Sequence, residues 1–168
     1  MFTVYGQRDP RWAQKKIGQT QHTVAAIGCT TCCICMGGSF FNDTINPGEA
    51  CNLLRYTQEG LILWNSIGVL FNNTEFEFRF YSPNTTCRQA ARYFPEGYYK
   101  ELNKTLIDDA LASPDKVVML NVDSGGHWVF ALKRLFGTNI FWVADPWTGT
   151  KKIYRGVVGG AVLRRKKV

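Results

Sequence analysis

The last third of the chain constrains its fold most tightly. Apolar segments over 116–122, 127–134, 140–144 and 151–154 follow one another as strands, separated only by short turn signals. Phe136-Gly137-Thr138-Asn139 reads as the hairpin joining the middle two, and Asp145-Pro146-Trp147-Thr148-Gly149 turns the chain before the last. Earlier segments carry helical signals instead. Asn46-Pro47-Gly48-Glu49 supplies a cap, a Pro at the first helical position and an acid in the first turn. Ala50, Leu53, Leu54 and Thr57 follow at helical spacing, so a helix is predicted to end before Gly60. Another is predicted over 98–112, stopped by Ser113-Pro114, and one strand over 75–81 alternates Phe76, Phe78 and Phe80 with Glu75, Glu77 and Arg79. Helices first and antiparallel strands later predict an α+β fold, with an N-terminal helical half packed on a C-terminal antiparallel sheet.

With 168 residues, 45% of them hydrophobic, the chain suits one domain with a real core. The expected organisation is a single domain over 1–160 and a basic tail over 161–168. The tail holds Arg164-Arg165-Lys166-Lys167, four of the positive charges behind a net charge of +7. Such runs are usually solvated, and without interleaved aromatics or a nucleic-acid module they do not predict DNA or RNA binding. No apolar run reaches the roughly 18 residues needed to span a bilayer. The N-terminus lacks the cationic start and apolar stretch of a secretory signal, so the expectation is cytoplasmic synthesis with reduced cysteines. The sequons at Asn42, Asn72, Asn84 and Asn103 then read as chance in an Asn- and Thr-rich chain. Residues 1–20 read as an irregular arm anchored by Trp12.

The segment AAIGCTTCCICMGG, residues 25–38, holds four of the six cysteines. Its Thr, Ile and Cys content makes a poor autonomous helix, so it is predicted to be a short central helix held by burial and stopped at Gly37-Gly38. Cys29, directly after Gly28 at the helix start, is placed to feel both the helix N-terminus and a neighbouring imidazolium, the two influences that activate a thiol. Cys32, Cys33 and Cys35 would lie deeper and pack as small hydrophobes.

Of the two histidines, His22 sits in a polar stretch, whereas His127 follows a flexible Gly-Gly and opens a strand, from which its side chain can enter a cleft. A nucleophile and base need an orienting acid. Asp145 follows a strand that pairs, through the hairpin, with the strand begun by His127, and is preferred over Asp123, which lies in a loop four residues before His127. Donors for an oxyanion would be the Cys29 backbone N–H and a side-chain amide from Gln7 or Gln21.

Gln7, Asp9 and Trp12, then Gly28-Cys29 opening a helix with Met36 near its end, the Pro47 helix, Gly125-Gly126-His127-Trp128-Val129, and Asp145-Pro146 with Gly149 resemble the papain-like cysteine peptidases of the bacteriocin-processing (double-glycine leader peptidase) type. The match is nearest to their stand-alone peptidase-like branch and runs from Gln7 to Tyr154. The resemblance implies a papain-like fold, Cys29 as nucleophile, His127 as general base and acid, Asp145 as orienting acid and Gln7 as oxyanion donor, with Gln21 the fallback. It further implies a cleft with Gly126, Trp128 and Trp147 against the substrate, and no cofactor. The implied source is bacterial or phage. The implied partners are a peptide or protein substrate, among them cell-wall peptides or a protein of the same cell or virion.

Two other readings compete. Cys29-x-x-Cys32 has a metal-ligand spacing, but structural zinc needs a second ligand pair and only the isolated Cys51 and Cys87 remain, so no metal is expected. A silent binding or structural module would use the five tryptophans as a peptide groove. An intact Cys, His and Asp set favours the enzyme.

Overall fold

Capping and glycine placement decide where the helices of the N-terminal half begin and end. The protein is described by a computed structural model, which covers residues 1–83, 99–135 and 138–167. An irregular arm leads to α1 (Val24–Ile27), capped by the Thr23 side chain, and α2 (Cys29–Phe40) follows across Gly28. Helix α3 (Pro47–Leu53) carries a full capping box, in which Asn46 and Glu49 satisfy each other's backbone N–H groups. It ends at Leu54, which is extended, so Thr57 lies beyond it. A short helix without sequence signal, α4 (Ser66–Leu70), precedes β1 (Thr74–Tyr81).

The helix expected over 98–112 is corrected. Its first part is a strand, β2 (Tyr99–Glu101), and α5 (Lys104–Ala112) begins only where the Asn103 side chain accepts from Leu106 N. Asn103 resets the start because an Asn cap satisfies helix N–H groups that residues further upstream leave open. Tyr98, Asn84 and Cys87 lie outside the described residues.

β3 (Lys116–Val122), a 3₁₀ turn at Asp123–Gly125, β4 (His127–Arg134), β5 (Phe141–Asp145) and β6 (Thr150–Tyr154) follow, matching the predicted strands within one residue at each end. Phe136 and Gly137 of the expected hairpin turn are outside the described residues, but β4 and β5 pair antiparallel as that turn requires.

The basic tail is also corrected. Gly159–Arg165 form β7, which pairs with both β1 and β3 in the middle of a seven-stranded sheet ordered β2-β1-β7-β3-β4-β5-β6. Ala161, Val162 and Leu163 are fully buried, while Arg164 pairs with Glu75 at 2.7 Å and Arg165 with Asp115 at 3.1 Å. The charges concealed a buried strand. The sheet is not wholly antiparallel either, since β1 and β2 run parallel.

The fold is therefore mixed α+β, with a seven-stranded sheet and five helices among the described residues. Helices lie on both faces of the sheet rather than in one half. Val117 and Met119 of β3, with Phe130 and Leu163, face the core under α2, whereas Val118, Leu120 and Val122 face a second core closed by Ile107 and Ala110 of α5. This two-sided burial explains why β3 reads as a continuous apolar run. In β1 the Phe alternation breaks at a bulge between Phe76 and Phe78, so Phe76 packs on the first core and Phe78 and Phe80 on the second.

Helix α2 is buried nearly all round, with Cys32, Cys33, Ile34, Cys35 and Met36 inaccessible. It also runs through Gly37-Gly38, where the sequence predicts its stop. A Cβ on Gly38 would lie 2.5 Å from the Phe71 ring and one on Gly37 2.9 Å from Leu163, so these glycines permit close packing and do not end the helix.

Candidate active site

His127 is the first residue of β4 and Asp145 the last of β5, so antiparallel pairing brings both to one end of the sheet. His127 Nε2 donates to Asp145 Oδ1 at 2.7 Å. With Nε2 so engaged, Nδ1 is the ring nitrogen left for Cys29, which lines the same cleft and acts on the imidazole electrostatically. Asp145 is fully buried. Its Oδ1 also accepts from Trp147 N at 2.8 Å, while Oδ2 makes no regular hydrogen bond and is neutralised by Lys152 Nζ at 2.5 Å.

Burial opposes charge on both groups, but the contacts win. Desolvation pulls the His127 imidazole down, yet the bond to Asp145 and the influence of Cys29 outweigh it and raise the group from 6.5 to about 9. Desolvation pushes the Asp145 carboxyl up, yet His127, Lys152 and the Trp147 N–H together take it from 3.8 down to about 2. At neutral pH the pair is an ionised carboxylate holding an imidazolium.

Cys29 is the first residue of α2 and is partly exposed. A Cβ on Gly28 would lie 2.4 Å from Val24 O, so only glycine fits the tight join between α1 and α2. The Ala25 carbonyl, which an unbroken helix would offer to Cys29 N–H, accepts instead from Gln7 Nε2 at 2.7 Å. The Cys29 N–H is left at the open N-terminus of the helix. Cys32, Cys33 and Cys35 are buried, and desolvation raises each thiol well above its ordinary value. Burial thus sets one cysteine of the cluster apart from the other three.

Gln7 is itself buried and lines the same cleft as Cys29 and His127. Its backbone N–H donates to Pro146 O at 2.8 Å, and Trp12 Nε1 donates to Gly6 O at 2.8 Å, so the arm is docked on the turn after Asp145. Gln21 is exposed and accepts from Lys16 Nζ at 2.6 Å, outside the cleft lining. His22 is exposed as well. Asp123 lines the cleft but accepts from Tyr154 OH at 3.0 Å, while His127 is hydrogen-bonded to Asp145.

No family model matches this chain, and no curated protein or solved structure matches it.

The cleft has a volume of about 1120 Å³. Gly126, Trp128 and Trp147 all line it, with Trp147 44% exposed under the Arg8 guanidinium at 3.5 Å. Trp128 packs on Trp64 at 5.5 Å, and Arg79 lies 4.9 Å from the Trp128 ring centroid. The opposite wall, residues 55–69, carries Leu61, Leu63 and Val69 with their apolar side chains in solvent. Just before His127, Asp123, Ser124 and Gly125 take positive φ in succession, a strained turn held by Asn121 Nδ2 donating to Gly125 O at 3.2 Å.

Lys152 and the 55–69 wall were missed in the sequence. Lys152 had a signal, because a hairpin pairing Asp145 with Thr150 puts residue 152 on the same face, diagonal to Asp145. The wall had none, since its residues show no periodicity. Among the described residues, no three His, Cys, Asp or Glu side chains form a group able to hold a metal ion.

Proposed function

We propose that the protein is a papain-like cysteine peptidase or amidase. The observation that carries this reading is His127 hydrogen-bonded to buried Asp145 and lining one large cleft together with Cys29. A cysteine at a helix start, an imidazole within reach of it and an acid fixing that imidazole are the parts that nucleophilic acyl transfer needs.

In the proposed cycle the Cys29 Sγ proton already resides on His127, as the imidazolium requires, and the sulfur attacks a peptide or amide carbonyl carbon. The carbonyl π pair moves onto oxygen, where the Cys29 N–H and the Gln7 side-chain amide stabilise the charge. Collapse expels the amine, which leaves with the His127 proton, and a thioester remains. Water then gives a proton to His127 and attacks the thioester, releasing the acid and restoring the thiolate. Asp145 holds the imidazole with Nδ1 toward sulfur throughout.

The exposed apolar wall and the aromatic floor suit an extended peptide, and the substrate classes proposed are cell-wall peptides and proteins of the same bacterial cell or virion. No helix among the described residues is long and apolar enough to cross a membrane. The test is to incubate the protein with a defined peptide library and a peptidoglycan digest, and to sequence new termini by mass spectrometry. New termini made by wild type and absent with Cys29→Ala support the reading. Identical products from both, or none from either, overturn it.

A further inference from the structure

Two acids are buried among the described residues, and they are held in different ways. Asp43 accepts from Asn72 N, Asn73 N, Asn73 Nδ2 and Thr74 Oγ1, all neutral donors that pin a loop. Asp145 uses Oδ1 for His127 Nε2 and Trp147 N, and leaves Oδ2 to a lysine whose side chain is 38% exposed.

We propose that Lys152 is a positioning residue for the reaction centre, holding Asp145 Oδ2 so that Oδ1 stays on His127 Nε2 and the carboxylate stays ionised in its buried seat. The inference rests on the reading of Cys29, His127 and Asp145 as nucleophile, base and orienting acid. A carboxylate turns easily about its last torsion, so one oxygen fixed by a cation fixes the other. Lys152 sits on β6 opposite Val143 and diagonal to Asp145, and its ammonium lies 4.8 Å from the Tyr154 ring centroid, which limits where it can go.

Facing Asp145 are His127 from β4, Lys152 and Tyr154 from β6, and Cys33 from α2. Cys33 is kept neutral by burial, and Tyr154 is raised to about 12 by burial and by Asp123. The positive charge available to Asp145 therefore comes from His127 and Lys152. Removing Lys152 leaves desolvation opposed by His127 and the Trp147 N–H alone, so the carboxyl protonates at higher pH and releases the imidazole.

The test titrates the Asp145 carboxyl by ¹³C NMR and measures the alkylation rate of Cys29 by iodoacetamide at about pH 5, in wild type, Lys152→Met and Lys152→Arg. Expected in Lys152→Met are a midpoint raised by about one unit or more and Cys29 alkylation slowed several-fold. Lys152→Arg should restore both. If Lys152→Met does not fold, Lys152→Gln serves as the neutral variant with the same readouts. A neutral variant whose midpoint and alkylation rate equal those of wild type overturns the proposal, and so does an Arg variant as impaired as the neutral one. Wild-type alkylation of Cys29 that is indifferent to His127→Ala overturns the parent reading instead, whatever the carboxyl midpoint does.

Discussion

Gly6 and Gly149 pack backbone to backbone: a Cβ on Gly6 would lie 3.2 Å from the Gly149 Cα, and Gly149 holds a φ of +67°. This contact seats the arm on the turn that follows Asp145, so Gln7 reaches the Ala25 carbonyl beside Cys29. Gly149→Ala should destabilise the fold by about 1–2 kcal/mol, the cost of a left-handed non-glycine residue. It should also slow Cys29 alkylation. Thermal melting and labelling of the same variant check both.

Gln7→Ala separates two kinds of chemistry at Cys29. Alkylation by iodoacetamide builds no oxyanion, whereas a peptide aldehyde forms a hemithioacetal whose oxygen needs the donors. Loss of one such donor costs about 10²–10³ in oxyanion-forming steps. Aldehyde inhibition should weaken by about that factor while the alkylation rate changes little, as read by competition between the two probes. Equal loss in both points to a collapsed cleft and removes Gln7 as donor.

Removal of residues 161–168 distinguishes a tail from a strand. Arg164-Arg165-Lys166-Lys167 dominates these residues in sequence, yet Ala161, Val162 and Leu163 fill both cores from the middle of the sheet. The truncated chain should lose its cooperative thermal transition. Retention of that transition contradicts the placement of β7.

The truncation also marks where the sequence was legible. Strands β3 to β6 and the cap of α3 were readable because periodicity, turn residues and a capping box act locally. From those strands the approach of His127 to Asp145 followed, and burial divided the cysteines as helix position suggested. What escaped depends on distant contacts. Gly37-Gly38 looks like a stop until Phe71 and Leu163 are known to press on it, and β2 looked helical until it paired with β1. The lining residues 55–69 have no pattern of their own and are defined only by the cleft they close.

The pH dependence of stability follows from the two shifted groups. His127 is raised from 6.5 to about 9, so its contribution is complete below 6.5 and is lost as pH rises through 9. Asp145 is lowered from 3.8 to about 2, so its contribution is complete above 3.8 and is lost as pH falls toward 2. Both are fully present between 3.8 and 6.5. Melting temperature should be highest in that window, and the decline toward pH 9 should shrink in His127→Gln. A His127→Gln profile parallel to that of wild type contradicts the pairing.

Iodoacetamide labelling at about pH 6, mapped by mass spectrometry on wild type and His127→Ala, tests the proposed chemistry most directly. Rapid labelling confined to Cys29, and lost with the histidine, is the expected result. Slow labelling spread over several cysteines and unchanged by the substitution contradicts an activated nucleophile at Cys29.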